Sequence, residues 1–292
     1  MTVTASAHPR ARHRLLEASA LPPAAVLAGG VLLWLALGAA RSFADDPLVI
    51  AVWATLGAFV VPLTLVLAMA RRSASGPGTA ALLRTLIYGG IASAAVAGSA
   101  GALLIAATGG ATLSPTLVLG SAVLEEGTKL ALVLLLARRF SPTAGTGLLL
   151  GGAVGAGYAA FDALGRILEA HVALNSALLP AAAGAPILLE SGVAIQHALL
   201  APLGHPLWSA LLAAVALPAL SARGGWGRIA VAGIGVVAAH AIFTSGVAAA
   251  AGLLGSGPAA VLTQVAVGAA LALPALLAWR TVRAGAAQAG GA

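Results

Sequence analysis

Long apolar runs recur along the whole chain, at residues 21–40, 47–70, 84–108, 114–137, 143–165, 196–220, 228–252 and 258–279. Crossing the roughly 30 Å hydrocarbon core of a bilayer takes about 20 apolar residues in a helix, because a helix satisfies its own backbone hydrogen bonds where water is absent. The runs therefore predict an all-α, polytopic integral membrane protein with about eight transmembrane helices. With 60% of residues hydrophobic and 8% charged, too little polar surface remains for a water-soluble domain. No alternating ten-residue pattern supports a membrane barrel. The first run follows "RARHR", but its length exceeds a signal-peptide core, so it is read as a retained helix.

Charge alternates between successive loops. Arg10, Arg12, Arg14, Arg71, Arg72, Arg84, Arg138, Arg139, Arg223, Arg228, Arg280 and Arg283 fall on one side, against Arg41 and Arg166 on the other. The positive-inside rule then places both termini in the cytoplasm, and an even helix count, which puts them on one side, agrees. These arginines sit at helix ends beside lipid head groups, so the net charge of +7 points to the bilayer and not to nucleic acid. Residues 1–20 read as a disordered cytoplasmic tail, 21–283 as one transmembrane domain with a catalytic core at about 114–252, and 284–292 as a second cytoplasmic tail. The segment 166–195 is the longest external one, and "APILLESGVAIQHALL" reads as a re-entrant or interfacial helix. Gly151, Gly155 and Gly157 recur at spacings that let helices approach closely.

Charges inside the apolar runs are few. Of eight acidic residues, Glu17, Asp45, Asp46, Glu169 and Glu190 are assigned to tails or loops, leaving Glu125, Glu126 and Asp162 in helices with Lys129, the one lysine. Each charge at the bilayer centre costs about 2.5–3.5 kcal/mol on insertion scales, so the group requires internal pairing. Lys129 is reachable from both glutamates on one helix face. One carboxylate is left over, suited to binding a cation or to proton transfer. With no cysteine in the chain, metal ligands are limited to His and carboxylates. His8, His13 and His171 are read as solvent-facing and His197 as interfacial, while His205 and His240 fall within helices. By rise per residue, Glu125, Glu126, Asp162, His205 and His240 can meet between the membrane centre and its outer face. They suit one divalent cation, zinc, with an activated water, or a water held by glutamate and histidine without metal.

These residues resemble the PrsW family of intramembrane proteases, distant relatives of the CAAX-processing and bacteriocin-processing membrane endopeptidases. The family's E-E-x-x-K motif is matched by Glu125, Glu126 and Lys129, and its F-x-x-x-E motif is approached by Tyr158 and Asp162 in "GYAAFDALG". Later histidine motifs look like "GHPLWSA", with His205 and Ser209, and "HAIFTSG", with His240 and Thr244. The likeness covers residues 120–245. The chain departs from the pattern at Asp162 and Ala163, where glutamate and asparagine are usual, and at Leu124, where a third glutamate is common. The resemblance implies hydrolysis of a peptide bond in a single-pass membrane protein such as an anti-sigma factor, near the outer half of the membrane. Glu125 or Glu126 would be the general base, Asp162, His205 and His240 would hold a metal or the water, and Lys129 would neutralise the second glutamate, with Tyr158 in support. The competing classes are a proton- or cation-coupled transporter and a non-catalytic relative that binds membrane partners. A two-fold transporter site is disfavoured because the first three helices carry no polar residues of this kind.

Overall fold

The computed structural model describes residues 22–43, 46–72, 76–109, 114–176, 185–222, 225–254 and 258–289. Among them there are helices and turns but no strand. The chain forms α1 (Pro23–Arg41), α2 (Pro47–Arg71), α3 (Thr79–Ala107), α4 (Pro115–Ala137), α5 (Ala144–Ser176), α6 (Ala185–Leu200), α7 (His205–Ser221), α8 (Trp226–Leu254) and α9 (Pro258–Ala289). Local chemistry starts several of them. Asp46 caps α2 by accepting from the Leu48 and Val49 amides, and Ser114 caps α4 by accepting from the Leu117 amide. A proline follows each cap at the first helical position, where its missing N–H removes no hydrogen bond.

By length and composition, six stretches can cross a membrane: α1, α2, α3, most of α5, Ile187–Ser221 across α6 and α7, and α8. α4 is 23 residues long but carries Glu125, Glu126 and Lys129, which keep it out of that apolar set. Large aliphatic side chains such as Leu32, Leu103, Leu188 and Val231 point outward, an arrangement suited to lipid and not to water. The expected tail at residues 1–20 lies outside the described residues. At the other end α9 continues to Ala289.

Two of the loop assignments do not survive. Glu190 lies in α6 and is fully buried, and Glu169 lies on the last turns of α5. The predicted run at 196–220 is in fact two helices. A short 3-10 turn, Ala201–Leu203, and Gly204 separate α6 from α7, with Pro202 inside the turn and Pro206 in the first turn of α7.

α5 is the axis of the molecule. Gly147, Gly151 and Gly155 recur every four residues along one face, and a methyl group on any of them would overlap the α7 backbone at Ala213, Ser209 and His205 respectively. Only hydrogen fits at those contacts, which is what brings the start of α7 hard against α5. On the opposite face Gly157 meets the α3 backbone at Leu86 and Gly90, where α3 widens into a π turn over Thr85–Gly89. Val66, Leu82, Leu86, Val133, Leu150, Val154 and Leu217 close the shared core of α2, α3, α4, α5 and α7.

Candidate functional site

On α4 the step from Glu126 to Lys129 is three residues, so the two side chains share a face. Lys129 Nζ donates to Glu126 Oε1 at 2.6 Å, with both side chains buried. α8 supplies His240, whose Nδ1 donates to the same oxygen at 2.9 Å. In the neutral ring that hydrogen bond places the proton on Nδ1 and leaves a lone pair on Nε2, which lies 3.6 Å from Glu125 Oε2. α7 supplies His205 at its first residue, held there by the Gly155 contact. Its Nδ1 is 2.9 Å from Lys129 Nζ and 3.8 Å from Glu126 Oε1.

One donor atom from each of Glu125, His205 and His240 lies within 4.8 Å of the other two. Two imidazoles and a carboxylate are a ligand set that zinc takes in hydrolytic sites. Glu126 stands behind it, fixing the His240 tautomer as a carboxylate fixes a metal-binding histidine. Two carboxyl groups face one lysine here, so one is left beyond what Lys129 pairs, an arrangement suited to a bound cation. Glu126 Oε2 is buried and has no hydrogen-bond partner among the described residues. A buried acceptor of this kind is costly unless something fills it.

Aromatic rings form the wall. The Tyr158 ring lies 4.3 Å from Lys129 Nζ and 4.7 Å from the His205 ring. Trp208 packs 5.8 Å from His205 and 5.5 Å from His240, with Phe243 behind it. Sequence reasoning missed Trp208, whose signal was its place one turn after His205 in "GHPLWSA".

Asp162 is not a member of the three-residue group. It lies one turn beyond Tyr158 on α5, 3.6 Å from Arg166 and 3.9 Å from His197 Nε2. His197 is therefore tied to the site's surroundings through α6. His171, read as solvent-facing, is instead 2.9 Å from buried Glu190.

The sequence profile of the PrsW family intramembrane metalloproteases matches residues 77–279, well over half of the chain. The chain belongs to the PrsW family. The match runs from the loop before α3 into α9 and takes in each helix that contributes to the site. No curated protein and no solved structure matched the chain in the same comparisons. This PrsW family member is accordingly an intramembrane protease and a multi-pass membrane protein, as the motif resemblance implied.

Proposed function

We propose that this PrsW family protease cleaves a single-pass membrane protein, such as an anti-sigma factor, near the outer half of the membrane, with Glu125, His205 and His240 holding one zinc ion. The observation that carries the reading is the convergence of those three donors from α4, α7 and α8, with Glu126 locking His240 so that its Nε2 faces Glu125. The alternation of arginines supports eight spans with both termini in the cytoplasm. That topology sets the donors between mid-membrane and the outer surface.

The chain's own residues divide the work. Glu126 Oε1 anchors His240 and Lys129, while Oε2, buried and unpartnered among the described residues, takes the proton of the attacking water as general base. Lys129 balances the second negative charge. Tyr158 and Trp208 keep bulk solvent from the inner wall. When bound, a divalent ion lowers the pKa of a water and polarises the scissile carbonyl.

One contact favours a second reading. An ammonium has no lone pair, so while Lys129 donates to His205 Nδ1 the ring's own hydrogen lies on Nε2; ligation of a metal by His205 requires Lys129 to release that contact and keep Glu126 alone. Held by Lys129, His205 is a donor at Nε2, fitted to a water or an oxyanion, and Glu125 and Glu126 act without metal. Metal analysis of purified protein separates the two. Equimolar zinc in the wild type and its loss in His240→Ala support the metal site; none in either supports the glutamate mechanism. Co-expression of Glu125→Ala, Glu126→Ala and His205→Ala with a candidate substrate tests both, and undiminished cleavage by all three would sink the assignment.

A further inference from the structure

We infer that Asp162, Arg166 and His197 form the mouth of a water inlet leading from the protein surface to the catalytic residues. The inference rests on the proteolytic reading, since hydrolysis at membrane depth consumes a water molecule for each bond cut.

Exposure is low at the catalytic group and higher at the polar side chains beyond it, with Tyr158, 6% exposed, between the two. Lys129 and Glu126 are 0% and 1% exposed, His240 8% and Glu125 19%, and His205 18%. His197 and Asp162 reach 26% and 31%, and Arg166 reaches 59%. Tyr158, Asp162 and Arg166 are spaced four residues apart, so they share one face of α5, and Tyr158 already touches both Lys129 and His205. Asp162 is 3.6 Å from Arg166 and 3.9 Å from His197. His197 Nδ1 donates to the Val193 carbonyl, which leaves its Nε2 on the Asp162 side. Ionisable side chains this open to their surroundings within membrane-embedded helices face a water-filled cavity and not lipid.

The absence of cysteine makes the test direct. Single variants Asp162→Cys, Arg166→Cys and His197→Cys are compared in proteoliposomes with Val123→Cys and Leu199→Cys, whose native side chains are exposed aliphatics on α4 and α6. The probe is a permanently charged methanethiosulfonate, which reacts with a hydrated thiolate. The inlet predicts modification at 162, 166 and 197 faster than at the two aliphatic positions by about tenfold or more. Rates at all three no greater than at 123 and 199 would overturn it. Arg166 is the most exposed of the three, so its variant keeps the test alive if the others fail to fold. Labelling does not depend on cleavage, so loss of proteolysis in any variant leaves the inlet result readable.

Discussion

Two buried carboxylates in this protein are surrounded alike and finished differently. Glu126 meets Lys129 at 2.6 Å and His240 at 2.9 Å; Glu190 meets Arg41 at 2.6 Å and His171 at 2.9 Å. At Glu190 the cation takes Oε2 and the histidine takes Oε1, so both oxygens are satisfied and α1, α5 and α6 are tied together. At Glu126 both partners crowd Oε1, and among the described residues Oε2 has none. A closed ion cluster holds helices in place. An open one has an acceptor to spare for chemistry, and the open one sits beside two further donors, Glu125 and His205.

The largest expected effect separates the two clusters outright. Glu126→Gln keeps an oxygen for Lys129 and His240 and replaces only the free one; it leaves buried Lys129 facing a neutral partner, so stability should fall by up to about 3–5 kcal/mol, while cleavage by the folded fraction falls by about 10²–10⁴-fold, the usual worth of a general base. Cleavage of a candidate substrate by the purified variant, alongside its unfolding midpoint in detergent, measures both. A Glu126→Gln enzyme of full activity would erase the distinction between open and closed clusters.

Removing the cation is next. Lys129→Met strands Glu126 in a fully buried position and should cost about 3–5 kcal/mol, the penalty for breaking a buried pair. Denaturant unfolding of the variant against wild type reads this directly. A change near zero would mean that Glu126 is neutral in the folded protein, and that Lys129 is not the counter-ion that makes it tolerable.

Glu190→Gln should differ from Glu126→Gln in activity. Both Glu190 oxygens are in use, so the new amide sets an N–H against either Arg41 or the His171 ring, with a loss of about 1.5–3 kcal/mol for a hydrogen bond to a charged group. Specific activity of the folded fraction should stay near wild type. A large fall in specific activity without a fall in stability would place Glu190 in the catalytic machinery.

The sequence made one of these clusters visible and hid the other for a physical reason. Glu125, Glu126 and Lys129 interrupt an otherwise apolar run, and a charge in such a run demands an explanation by itself. His205 and His240 then followed from depth along neighbouring helices. Glu190 stands in a stretch with Gln196 and His197 that is polar enough to pass for an external loop, and its burial depends on Arg41 and His171, distant in sequence. The break at Gly204 was also hidden, because the apolar character of residues 196–220 continues through Pro202 and Gly204 without a polar gap. The small residues of α5 were legible as a packing device, but nothing in their spacing said that Gly155 would press against the first residue of α7 and thereby set His205.

The smallest predicted effect concerns Asp162, where the chain departs from the PrsW pattern. Its partners Arg166 and His197 are 3.6 and 3.9 Å away on half-exposed side chains, and contacts of that kind contribute about 0.2–1 kcal/mol. Asp162→Glu, which restores the usual family residue, should therefore change the cleavage rate by no more than about fivefold and leave metal content unchanged. Glutamate extends the carboxylate by one methylene along α5, beyond the turn that carries Tyr158. If the substitution instead raised activity a hundredfold with a matching gain in bound metal, position 162 would be a ligand in the working enzyme. The Glu125, His205 and His240 group would then be an incomplete site that aspartate is too short to close.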